Sequence, residues 1–291
     1  MIPNTANPTV FLNGEFVSLE AARISPLDRG FLFGDGVYEV IPCYDGRMVG
    51  FERHMARLQQ GLDALKLPNP LPEENWHDAL LQLSKVAGDT HLGLYLQITR
   101  GSHPIRAHRY PEADAPTLFA YAFPVTAPTD GDAATVKSYR VVTGTDQRWQ
   151  RCHIKSVALL GNVMHMNEAN EQGADEILLF NERDELTEAA ACNVFVVTDD
   201  KISTPNLDHQ KLPGVTRAML LDMLRDSGHQ AIEERPISRE EVLAADEVWL
   251  TSATKEVAPV TAIDGEKVGD GKPGPAWETA QKLFASQRYA Y

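Results

Sequence analysis

The sequence predicts a mixed α+β fold arranged as two lobes. Three observations point there. A chain of 291 residues is long for one small core and comfortable for two. Helical and strand periodicities follow one another along its length. The punctuation residues Ala127-Pro128-Thr129-Asp130-Gly131-Asp132 interrupt them near the middle. This divides the chain into a smaller α+β domain at 1–124, a linker at 125–133 and a larger domain at 134–291.

The elements of the first lobe can be read in order. Val10 to Val17 forms a hairpin turning at Asn13-Gly14, a pair suited to positive φ at both central positions. Gly34-Asp35-Gly36 leads into a strand from Val37 to Tyr44, and Asp45-Gly46 turns the chain back. No helix follows those glycines directly, so they do not form a dinucleotide loop. His54 to Lys66 is helical, with Met55, Leu58, Leu62 and Leu65 on one stripe and Arg57 beside it. Glu73 to Ala87 is a second helix, led by acidic residues and stopped by Gly88. Strands at 91–100 and 117–123 flank a polar loop from Gly101 to Pro116.

The second lobe opens with a strand at 134–143. Alternation over Arg151 to Lys155 then predicts a short strand, and Ser156 a cap for a helix running to Gln172. Strands at 176–180 and 193–198, a helix at 215–227, a capping box at Ser238 and Glu241, a strand at 247–251 and a helix near 275–288 complete the chain.

Composition narrows the function classes. Hydrophobic content of 43% with 23% charged residues is ordinary for a globular protein. A formal charge of −14 repels nucleic acid and anionic membranes, so neither is expected as a partner. Cys43, Cys152 and Cys192 are odd in number and widely spaced, which fits neither a disulfide framework nor a zinc site. No bound metal is expected, and a reducing cytoplasm is the expected location. Met1 to Asn7 is mostly polar, and every apolar run is too short for a signal peptide or membrane span.

Four segments carry groups with chemical potential. Ile154-Lys155-Ser156 delivers one lysine to the start of a helical pattern. Leu186-Thr187-Glu188-Ala189 sets a carboxylate among apolar and small residues before a strand. Pro213-Gly214-Val215-Thr216 opens a helix whose first N–H groups can face an anion, and Arg57 offers a cation. The loop from Gly101 to Arg109 holds Arg106 and His108 two residues apart, so in extended backbone they point the same way toward a carboxylate. Singly, each also reads as an ordinary surface or capping residue. Together they supply an amine, an acid for a ring nitrogen, a phosphate cradle and an orienting cation, which are the supports a lysine-bound pyridoxal ring needs.

These segments, with Arg29-Gly30-Phe31-Leu32-Phe33-Gly34-Asp35-Gly36-Val37-Tyr38-Glu39 and Thr261-Ala262-Ile263-Asp264-Gly265, resemble the fold-type IV (class IV) pyridoxal-phosphate aminotransferases. The likeness is strongest to the D-amino-acid aminotransferase branch. It implies a two-lobed fold with pyridoxal 5'-phosphate between the lobes and Lys155 as Schiff-base lysine. Glu188 would partner the pyridine nitrogen, and Leu212 would pack on the ring. Arg57, Val215, Thr216 and the turn at Ser252-Ala253 would hold the phosphate. Tyr38, Val40, Arg106 and His108 match substrate-binding positions, and the arginine-histidine loop would come from the neighbouring subunit of a homodimer. The implied reaction converts D-amino acids to 2-oxo acids, with 2-oxoglutarate or pyruvate as acceptor. Branched-chain L-amino-acid transamination, (R)-amine transamination and aminodeoxychorismate lysis are alternatives on the same fold. Three departures from the family stand out: an inserted Ile105, the run Ala189-Ala190-Ala191-Cys192 in place of serines, and Ala253 in place of a threonine.

Overall fold

A computed structural model of the chain describes residues 8–111, 115–228 and 231–291. Met1 to Asn7, read above as a polar lead, lie outside the described residues, as do 112–114 of the polar loop. The chain forms two compact units. The first comprises residues through Ala127 together with Ile154–Leu159, and the second comprises Pro128–His153 with Leu160–Tyr291.

In the first unit the elements are β1 (Thr9–Leu12), β2 (Glu15–Ser18), α1 (Arg29–Phe33), β3 (Gly36–Tyr44), β4 (Arg47–Met48), α2 (Phe51–Ala64), α3 (Glu73–Ala87), β5 (His91–Thr99) and β6 (Thr117–Pro124). Among the described residues the strands make one antiparallel sheet in the order β2-β1-β6-β5-β3-β4. The Asn13-Gly14 turn forms as expected, with φ of 51° and 96°. The helical stripes meet one face of this sheet. Met55, Leu58 and Leu62 of α2 and Trp76, Leu80 and Leu83 of α3 join Ile41, Leu94, Leu96 and Ile98 in one buried cluster. Each such side chain contributes about 1.5–3 kcal/mol relative to leaving it exposed. Alternation sends Tyr38, Val40, Tyr95 and Tyr121 to the other face, where Tyr38 stacks on Tyr95 with ring centroids 5.6 Å apart.

The lysine segment differs from its sequence reading. Residues 151–153 form a turn instead of a strand, and the Cys152 N–H donates to the His209 carbonyl at 2.8 Å. Residues Lys155 to Val157 pair with the start of β3 instead: the Tyr38 N–H donates to the Lys155 carbonyl and the Val157 N–H to the Gly36 carbonyl, both at 3.0 Å. That pairing holds residues 155–157 in extended backbone, so no helix starts at Ser156. Helix α4 therefore begins only at Leu160 and runs to Glu171. Alternation over 151–155 therefore marked the wrong residues: the pairing begins at Lys155, where the expected strand was to end.

The second unit contains β7 (Tyr139–Thr145), α4, β8 (Glu176–Phe180), β9 (Leu186–Ala189), β10 (Asn193–Thr198), β11 (Lys201–Thr204), α5 (Val215–Asp226), β12 (Ile232–Glu234), α6 (Arg239–Leu243), β13 (Glu247–Ser252), β14 (Glu256–Ile263), β15 (Glu266–Lys267) and α7 (Pro275–Gln287). Among the described residues eight strands run in the order β12-β11-β10-β13-β14-β7-β8-β9, and β15 pairs with β14. The capping box at Ser238 and Glu241 starts α6 as expected.

The last helix has no side-chain cap of its own, because Gly274 precedes Pro275. Buried Glu247 supplies the missing acceptors from β13. It takes the Ala276 and Trp277 N–H groups at 2.9 and 2.8 Å, and the Trp249 indole at 2.9 Å. A side chain at Gly274 would strike this carboxylate, since its Cβ would lie 2.1 Å from Oε1. Glu247→Ala would strand all three donors and is expected to cost about 3 kcal/mol, read by chemical denaturation. A loss below about 0.5 kcal/mol would contradict this account of how α7 is held.

Candidate active site

The candidate residues fall into two sets, one in each unit. In the first, pairing with β3 turns the Lys155 side chain toward Tyr38, and Nζ lies 4.3 Å from the centre of that ring. One glycine permits the approach: a Cβ on Gly34 would lie 2.8 Å from the Ala158 Cβ, while Gly36 gives room to β5, since a Cβ there would lie 2.6 Å from the Ile98 carbonyl. Val40 follows Tyr38 on the same half-exposed sheet face.

Glu39, on the opposite side of β3, is fully buried among α2 residues. Arg57 donates to it from Nε and Nη2, both at 2.7 Å, and His54 Nδ1 lies 2.7 Å from Oε2. Burial opposes its ionisation, but Arg57 and His54 outweigh that cost and hold the carboxyl well below the usual range. Burial likewise pushes the His54 imidazole below its ordinary value, against the pull of Glu39. Arg57, expected to face a phosphate, thus gives two nitrogens to Glu39. Nothing in the sequence marks Glu39, 18 residues before Arg57, as its partner.

The loop from Gly101 carries Arg106 and His108 as expected. The Arg106 guanidinium lies 5.0 Å from the centre of the Phe33 ring, and the His108 ring lies 5.5 Å from the same ring. One phenyl group therefore gathers both side chains. An amine over one aromatic ring and a cation–imidazole pair over another suit a substrate with a carboxylate, and the Lys155 amine suits a cofactor aldehyde.

In the second unit Glu188 is the penultimate residue of β9 and is buried. Its Oε1 accepts from Arg148 Nη1 at 2.5 Å, and its Oε2 accepts from Asn193 Nδ2 at 3.1 Å and the Leu212 N–H at 3.0 Å. A carboxylate has about four acceptor positions, so one remains on Oε1 for a further N–H. Burial pushes the Glu188 carboxyl up from its ordinary value, against the opposing pull of Arg148 and the Leu212 N–H. Arg148 is itself aimed by Asp146, which accepts from its Nε at 3.0 Å and its Nη2 at 2.8 Å. Thr187 Oγ1 donates to the same aspartate at 2.7 Å.

Asn193 links this carboxylate to the start of α5. Its Nδ2 also donates to the Leu212 carbonyl at 2.9 Å, and it lies opposite Thr251 across the β10–β13 ladder. Gly214 sits against it so closely that a Cβ there would lie 1.9 Å from Asn193 Oδ1. Gly214 is also the N-cap of α5 and makes no side-chain cap bond, which leaves the Val215 and Thr216 end of the helix without an internal acceptor. Thr251 Oγ1 and Ser252 Oγ are buried without a hydrogen-bond partner of ordinary length among the described residues, and the weakly polar Cys192 thiol approaches Ser252. Buried hydroxyls and helix N–H groups left in this state call for an anion. Ala253, beside them, adds no hydroxyl.

These groups fit pyridoxal 5'-phosphate: Glu188 has one acceptor position for a protonated ring nitrogen, and the α5 terminus has N–H donors for the phosphate. The sequence reading missed Arg148 and treated Asn193 only as the start of a strand. Asp146-Gln147-Arg148 carried the one available signal, since an aspartate two residues ahead of an arginine closes a local turn, here through the Arg148 N–H to Asp146 Oδ1 at 3.0 Å.

Comparison with known proteins agrees with this chemistry. Residues 36–263 match the family described as amino-transferase class IV. The chain is 38% identical to a D-alanine aminotransferase of Bacillus licheniformis over 94% of each sequence. The branched-chain amino acid aminotransferase of Escherichia coli superposes with a TM-score of 0.88 at 24% identity, covering 96% of this chain and 94% of that one. A hypothetical aminotransferase from Mycobacterium tuberculosis, solved in its PLP-bound form, superposes with a TM-score of 0.84 at 22% identity, covering 97% of this chain and 99% of that one. These two likenesses establish the mixed α+β fold. No helix among the described residues is long and apolar enough to cross a membrane. The chain belongs to the class IV aminotransferases, and is a pyridoxal-phosphate-dependent aminotransferase.

Proposed function

We propose that this enzyme transfers the amino group of D-amino acids to 2-oxo acids such as 2-oxoglutarate or pyruvate. The observation that carries the reading is the gathering of Arg106 and His108 on the Phe33 ring, which presents a cation and an imidazole together for a carboxylate. The name of its relative from Bacillus supports the same substrate class. The branched-chain L-amino-acid reading has in its favour only a fold shared with an enzyme of that name.

Pyridoxal phosphate, when bound, supplies an electron sink that acidifies the hydrogen on the substrate Cα. Lys155 is the residue to carry the cofactor, and its freed Nζ is the base that takes the Cα proton and later returns one. Glu188 would keep the ring nitrogen protonated by accepting its N–H at the open position on Oε1. Val215, Thr216 and Ser252 would hold the phosphate, helped by the Ala253 N–H and by Arg57, while Leu212 packs on the ring. Tyr38 and Val40 would line the substrate pocket beside the amine.

Stereochemistry follows from geometry. The breaking Cα–H bond must point at Nζ, so the side on which Arg106 and His108 take the carboxylate decides which enantiomer places its hydrogen there. A homodimer is part of the proposal, because the resemblance assigns the arginine-histidine loop to the neighbouring subunit's site. The exposed apolar side chains of Phe31 and Ile105, at 77% and 63%, lie in the segments this would cover. A cytoplasmic location fits three free, buried cysteines.

Arg106→Ala should lower kcat/KM for D-alanine by about 10- to 200-fold, as expected for losing a charge-assisted bond. A carboxylate-free amine should lose far less, and equal losses for both would overturn the carboxylate trap. A panel of D-alanine, D-glutamate, L-leucine and (R)-phenylethylamine, followed by cofactor absorbance, tests the substrate class. Conversion of L-leucine ahead of both D-amino acids would contradict it. Gly214→Ala, by displacing Asn193, should weaken pyridoxal phosphate binding to the apoenzyme by at least about 10-fold in a fluorescence titration. Unchanged affinity would contradict the cradle.

A further inference from the structure

We propose that Arg29 is a positioning residue for substrate recognition, fixing the backbone between Arg106 and His108 so that both side chains meet one carboxylate. The inference rests on the reading of that pair as the carboxylate trap.

Arg29 opens α1 and is buried, with 4% of its surface exposed. Its guanidinium divides its donors between a fixed anchor and the loop. Nε donates to Asp35 Oδ2 at 2.8 Å. Nη1 donates to the Ala107 carbonyl at 2.6 Å, and Nη2 approaches the His108 carbonyl at 3.4 Å. These carbonyls belong to the two residues that follow Arg106. The anchor is itself braced: Asp35 also accepts from Arg100 Nε at 3.0 Å, and Arg100 Nη2 donates to the Leu65 carbonyl at 2.7 Å. Arg100 covers the Tyr110 ring at 3.7 Å, just beyond the loop. The Arg29 guanidinium lies 4.8 Å from the centre of the Phe33 ring on which Arg106 and His108 rest. One short helix thus fixes the loop twice, through its backbone by Arg29 and through its side chains by Phe33.

This arrangement also accommodates the inserted Ile105. The Ile105 N–H donates to His103 Nδ1 at 3.2 Å, and its side chain projects outward at 63% exposure. The extra residue is taken up in a local turn at 103–105, before the Arg29 clamp. The reach of Arg106 and His108 is then set by the clamp and not by the length of the turn.

A lysine at position 29 would keep the charge beside Asp35 but lose the planar fork that spans anchor and loop. The loop would have to be ordered at the moment of binding, which weakens affinity for a carboxylate held alike in ground and transition states. The effect should fall on KM.

The test compares Arg29→Lys, Phe33→Leu and Arg106→Ala with the parent holoenzyme, using D-alanine and D-alaninamide, which lacks the carboxylate. Thermal melting of each variant is recorded alongside. Arg29→Lys is expected to raise KM for D-alanine by about 10-fold with kcat within about 2-fold, and to leave D-alaninamide unchanged. Phe33→Leu, whose loss is a partly exposed cation–π contact, is expected to raise the same KM by about 2- to 5-fold. It carries the test alone should Arg29→Lys fail to fold. An unchanged KM for D-alanine in the folded variants, with Arg106→Ala impaired, overturns the role of α1 and leaves the trap standing. Equal losses for D-alanine and D-alaninamide overturn it as well, by assigning Arg29 and Phe33 a general structural role. An unimpaired Arg106→Ala overturns the trap itself.

Discussion

Two backbone hydrogen bonds between the start of β3 and residues 155–157 are the constraint on which the site depends. They draw a hexapeptide, Ile154–Leu159, from the middle of the chain into the unit formed by its first part. Gly34 makes the contact possible, because a Cβ there would collide with Ala158. The lysine in the hexapeptide is then aimed by main-chain geometry over Tyr38 and not by a flexible surface loop. In the catalytic role proposed for it, an amine held this way needs less ordering during reaction.

Buried carboxylates form the second organising feature. Asp35 is shared by Arg29 and Arg100, Glu39 by Arg57 and His54, and Glu188 by Arg148, Asn193 and the Leu212 N–H. Such groups cost several kcal/mol per ion to desolvate, and only well-aimed partners offset that cost. Packed apolar residues would stabilise these positions as well or better. Each of these carboxylates fixes the orientation of an arginine. The same argument explains the small residues nearby, since Gly214 admits Asn193 and Gly274 admits Glu247 by having no side chain.

Much of this was legible in the sequence because it follows from local periodicity and capping. The helix at Glu73–Ala87 was bounded by its acidic start and Gly88, and strands 176–180 and 193–198 by their apolar runs. Helix α2 was read three residues late at its start, at His54 instead of Phe51, because Gly50 offers no side-chain cap to mark it. Short elements such as α1, β11 and β12 carry too few residues for a period to register. What the sequence could not supply was partnership across the fold. Ser156 looks like a helix cap until its segment is seen paired with β3. Arg57 looks like a surface cation until Glu39 is seen beneath it. Arg148 gave no sign that it would meet Glu188, 40 residues later in the chain.

The most direct measurement is borohydride reduction of the holoenzyme followed by peptide mass mapping. A phosphopyridoxyl group on Lys155 alone is the expected result. Label on another buried lysine, such as Lys211, or no stable label at all, would contradict the account that the β3 pairing exists to aim this amine.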